Sequence, residues 1–80
     1  MNDRDTITAA EVLHLARVDD DALYLYDMAD IRTIASMAQG MANAAHRDGD
    51  GGTWRIMQRL IRKCEGHELS AILGRDVVPR

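Results

Sequence analysis

Eighty residues, 46% of them hydrophobic and carrying a net charge of −3, make one domain (1–80) near the lower size limit, where a single core leaves roughly 3–5 kcal/mol of net stability. Aromatics are scarce, with Trp54, Tyr24 and Tyr26 and no Phe, which disfavours a sheet and favours helices packed at short separation. The uncharged run Thr33–His46 is too short for a membrane span of roughly 20 residues, one cysteine excludes an intramolecular disulfide, and no basic, apolar leader stands at the start, so a soluble cytoplasmic protein is expected.

The first predicted helix runs from about Ala9 to Arg17. Thr8 and Glu11 have capping-box spacing, in which the hydroxyl satisfies one orphan amide and the carboxylate another, while Ile7 and Val12 hold staple positions. Val12, Leu13, Leu15 and Ala16 supply its buried side. The cluster Asp19-Asp20-Asp21 then offers an N-cap and first-turn carboxylates, with Val18 and Leu23 spaced as a second staple. A long helix from Asp20 to about His46 is expected, because Met28, Ile31, Ala35, Ala38, Ala42 and Ala45 recur at helical steps and Ile34, Met37 and Met41 widen the stripe. Gly40 weakens its middle or marks close packing.

The breaker Asp48-Gly49-Asp50-Gly51-Gly52 ends that helix. Thr53 is placed to cap a third, with Trp54, Met57, Leu60, Ile61 and Cys64 on its apolar side and Arg55, Arg59, Arg62 and Lys63 on a basic one. Gly66 is placed to end or bend it, a short helical piece Glu68–Leu73 follows, Gly74 closes that, and residues 1–8 and 75–80 are expected to be flexible ends. The sum is an all-α small bundle: an antiparallel hairpin of Met28–Ala45 and Trp54–Cys64, with the N-terminal helix packed across it.

No catalytic signature accompanies this architecture. Asp48 and Asp50 resemble the start of a calcium loop, but the twelfth position is Arg59 where a glutamate is required. Cys64 and His67 have ligand-like spacing, and His14 and His46 could complete a zinc set only if the fold gathered them, since a second close pair is missing. Cys64 is better placed as a small core residue than as a nucleophile. The expectation is a protein that is not an enzyme and needs no cofactor or metal.

Charge divides the chain. Through Asp30 the balance is −6, and from Ile31 onward it is +3, so the halves can attract each other within or between chains. Asp19, Asp20, Asp21, Tyr24, Tyr26 and Asp27 form an acidic, aromatic candidate for binding a partner protein. Met37 and Met41 extend the apolar stripe beyond what one helix covers and form a candidate dimer or partner face, which predicts a homodimer. Arg55, Arg59, Arg62 and Lys63 form a candidate face for nucleic acid or phosphate.

The segment from Thr8 to Tyr24, TAAEVLHLARVDDDALY, resembles the helix–turn–helix opening of MerR- and LacI-type regulators, with Arg17 in place of the turn glycine and three aspartates where the recognition helix begins. That resemblance implies a small DNA-binding regulator, the alternative reading. The second half, with its Asp21-Ala22-Leu23 start, Ala/Met-rich helix, Asp/Gly turn and Trp-led third helix, is similar in pattern to short helical-hairpin accessory proteins of pseudomonads and their phages. This likeness implies a protein-binding inhibitor or modulator of a host machine.

Overall fold

A computed structural model describes residues 7–18 and 20–73. Asp19, the Asp20 side chain, segment 1–6 and everything from Gly74 onward lie outside the described residues, and with them most of the expected flexible ends and the Gly74 stop. The order is helix α1 (Ala9–Val18), a 3-10 connector (Asp20–Leu25), helix α2 (Met28–Asp48) and helix α3 (Gly51–Leu73). The fold is the expected all-α bundle: α2 and α3 make the dominant pairing and α1 lies across them.

Helix α1 begins as its local signals require. The Glu11 amide donates to Thr8 Oγ1 at 3.1 Å, and Ile7 and Val12 are both buried, so Ile7 and Thr8 belong to the fold rather than to a flexible end. The other half of the capping box is redirected: Glu11 Oε2 accepts a hydrogen bond from the Tyr26 hydroxyl at 2.7 Å. A carboxylate expected to serve its own helix thus ties α1 to the residue that follows the connector.

The single helix expected from Asp20 to His46 is two elements. The chain runs as a 3-10 helix to Leu25, breaks at Tyr26, and restarts as α2 with Asp27 as N-cap, whose carboxylate accepts from the Asp30 amide at 2.9 Å. The break changes which side chains face inward. At three residues per turn, Leu23 and Tyr26 share one side and are held against the core together with Ala22, whereas Tyr24 and Leu25 point outward. Val18 is also exposed, so the expected Val18–Leu23 staple does not bury it.

Helix α2 buries Ile31, Ile34, Ala38, Ala42 and Ala45 of the predicted stripe, while Met28 and Ala35 are half-buried. Ile31, Ile34, Ala38 and Ala42 join Met57, Leu60, Ile61 and Cys64 of α3, Val12, Leu15 and Ala16 of α1, and Leu23 in one core cluster. Gly40 has no close-packing role, since a Cβ built there meets nothing within 4 Å.

The turn between α2 and α3 is tighter than the five-residue breaker suggests. Gly49 adopts the left-handed conformation (φ 76°) that closes a helix, its amide donating to the His46 carbonyl at 3.2 Å and the Asp50 amide to the Ala45 carbonyl at 2.8 Å. Asp50, not Thr53, then caps α3: its Oδ1 accepts from the Thr53 amide at 3.1 Å, and its carbonyl accepts from the Trp54 amide. Gly51 and Gly52 are therefore helical. Helix α3 also passes through Gly66 without ending and absorbs the expected separate piece Glu68–Leu73, because the helical residues on both sides outweigh one glycine's helix penalty of about 1 kcal/mol.

Candidate functional site

Three residues of the acidic, aromatic patch, Asp21, Tyr26 and Asp27, make contacts that hold the fold. Asp21 Oδ1 accepts from Lys63 Nζ at 2.8 Å, and this hydrogen bond and charge hold its carboxyl below the usual range. Asp27 is exposed while its carboxylate caps α2, and Tyr26 is half-buried and bonded to Glu11. Asp21 is exposed, and Tyr24 is 72% exposed. Leu25 beside it is 70% exposed, and Val18 at the end of α1 is 68% exposed. Sequence reasoning overlooked both, since an apolar residue in a helical pattern is assigned to the core by default.

The Met37 and Met41 side chains are half-buried and packed against the core. They are accordingly edges of the bundle's apolar interior that remain partly accessible. The attraction expected between the acidic and basic halves is realised within the chain by Asp21 and Lys63, and Arg32 adds a second exposed tie to Glu68 at 3.2 Å. Exposed pairs of this kind orient elements more than they stabilise them.

The basic residues of α3 separate into two groups. Lys63 is half-buried and joined to the connector through Asp21. Arg55, Arg59 and Arg62 are exposed, and together with Trp54 and Gln58 they line a shallow depression of about 290 Å³. Trp54 was expected in the core but is 38% exposed; its ring lies 6.4 Å from that of His46, tilted by 56°. Trp54 lies in the first turn of α3 beside the last turn of α2, where its ring meets His46 and not the core cluster. A second depression, also of about 290 Å³, is lined by Ala16, Arg17, Val18, Arg59 and Lys63.

Cys64 is fully buried, and its thiol is pushed up to about 11 by desolvation, with Glu68 and Glu65 adding to the shift. A thiol so protonated is a core atom and not a nucleophile at neutral pH. Among the described residues no three His, Cys, Asp or Glu side chains gather as a metal site. Asp50, considered for calcium, is spent on the Thr53 hydrogen bonds that lower its pKa. No described helix is long and apolar enough to cross a membrane. Comparison with known protein families, curated proteins and solved structures returns no match.

Proposed function

We propose that this chain is a small, non-enzymatic protein-binding module that works through the connector between α1 and α2. One observation carries the reading: Tyr24 and Leu25, 72% and 70% exposed, stand next to each other on an element anchored by buried Leu23 within it and by Tyr26 just after it. Large side chains presented from a rigid base lose less entropy on association, the property that makes binding anchors effective. Asp21 on the same element, with Asp19 and Asp20 beside it in sequence, favours a partner whose surface is basic.

The resemblance to hairpin accessory proteins supplies the concrete form: an inhibitor or modulator of a host protein machine, encoded by a phage or mobile element and acting in the cytoplasm. Partial exposure of Met37 and Met41 along α2 supports pairing of two hairpins into a homodimer, which would cover an apolar edge that one chain leaves accessible. The expected mass by light scattering at tens of micromolar is that of two chains, and a monomeric mass removes the dimer.

The partner test compares wild type with Tyr24→Ser/Leu25→Ser. Both side chains are exposed, so the variant keeps the wild-type melting curve. Cross-linking in a bacterial lysate followed by mass spectrometry should identify a protein bound to wild type and lost from the variant. Equal retention by both forms would rule the connector out as the interface.

A further inference from the structure

The strip of α3 formed by Trp54, Arg55, Gln58, Arg59 and Arg62 is not used by the core. Its residues follow one side of the helix, and at a rise of 1.5 Å per residue Arg55 and Arg62 are about 10 Å apart with Arg59 between them. From Thr53 to Cys64 the helix has no acidic residue, and among the described residues neither Arg55 nor Arg62 forms an ion pair. Arg17, at the end of α1, shares the adjoining depression with Arg59 and so adds another guanidinium to the same side. Arg55 and Arg62, exposed and outside any ion pair among the described residues, are open to an anionic ligand.

The aromatic at the head of the strip narrows the class of anion. Trp54 is partly open while His46 flanks its ring. An indole face beside a row of guanidiniums suits a ligand with flat rings strung along a phosphate backbone. Bases stack on the indole, phosphates meet the arginines, and the Gln58 amide, which both donates and accepts, can read a base edge. A duplex hides its base faces in the stack and offers nothing to the indole. An acidic polypeptide would engage the arginines but has no regular run of flat rings. We infer that this strip is a binding site for single-stranded nucleic acid, separate from the Tyr24–Leu25 surface.

The chain contains a single tryptophan beside two tyrosines, so fluorescence excited at the red edge, where only indole absorbs, reports on this site alone. The full chain is titrated with an oligothymidylate of about 15 nucleotides, within the usual range of single-strand site sizes. Saturable quenching is expected at low salt. With three or four phosphates neutralised, affinity should fall by about 20- to 50-fold between about 50 and about 200 mM salt. Arg55→Glu/Arg62→Glu should abolish quenching while leaving the melting curve intact, because both side chains are exposed. Tyr24→Ser/Leu25→Ser should bind as wild type does, which keeps this result distinct from the connector test. Trp54→Ala, followed by anisotropy of a labelled oligonucleotide, should lose at least tenfold in affinity. Absence of salt-sensitive quenching, equal or tighter binding of a duplex of the same length, or equal quenching by polyglutamate would each overturn the proposal.

Discussion

Replacing Gly40 with alanine should stabilise the protein. Gly40 lies in the interior of α2, exposed, and without the positive φ that confines Gly49. A Cβ built on it meets nothing within 4 Å, so no steric cost offsets the gain in helix propensity. Glycine is about 0.8–1.0 kcal/mol less favourable than alanine in a helix interior, and in a domain of this size about 1 kcal/mol moves the melting temperature by 4–8 °C. A rise of about 3–8 °C is therefore expected in far-ultraviolet circular dichroism melts at low protein concentration. Gly49→Ala is the opposing control, because its φ of 76° places a side chain in the left-handed region at a cost of roughly 1–2 kcal/mol. No change, or a fall, for Gly40→Ala at low concentration would refute the reasoning. A fall that grows with concentration would locate a second chain against α2 at Gly40, next to Met41 and three residues from Met37.

Leu60→Ala, at a fully buried position, should cost about 2–5 kcal/mol and leave the chain largely unfolded by circular dichroism, whereas Trp54→Ala at the hairpin tip should cost clearly less. Asp27→Ala removes the N-cap of α2 and should lower urea stability by about 1 kcal/mol; an unchanged midpoint would mean that the break at Tyr26 is held entirely by the Glu11–Tyr26 contact. Cys64 binds its proton more tightly folded than unfolded, its pKa being raised from 9.0 to about 11. The stability it contributes is complete below pH 9 and is lost as pH rises towards 11. Urea midpoints of wild type should fall more steeply over that window than those of Cys64→Ala, and parallel pH profiles would contradict the buried, neutral thiol.

The hairpin and its neighbour are legible in the sequence because their signals are local. Thr8 caps a helix three residues before Glu11, the Ala/Met stripe recurs at helical steps, and an Asp/Gly turn too short to separate two helices makes them antiparallel partners. Backbone hydrogen bonding and side-chain periodicity act over three or four residues, and such spacing can be read without knowing the fold. The break at Tyr26 could not be read that way. Nothing in DALYLYDMADI forbids a continuous helix, and Asp27 has the same composition signal as the aspartates before it. Tertiary contacts made the choice: the Tyr26 hydroxyl finds Glu11, Asp21 finds Lys63, and Leu23 enters the shared core. The same contacts decided the candidate sites. Tyr24 and Tyr26 are equivalent in sequence, yet the 3-10 phase sends one to solvent and the other to the core, and Trp54, in the first turn of α3, meets His46 and not the core cluster. Exposure is a property of which elements pack together, and that depends on partners distant in the chain.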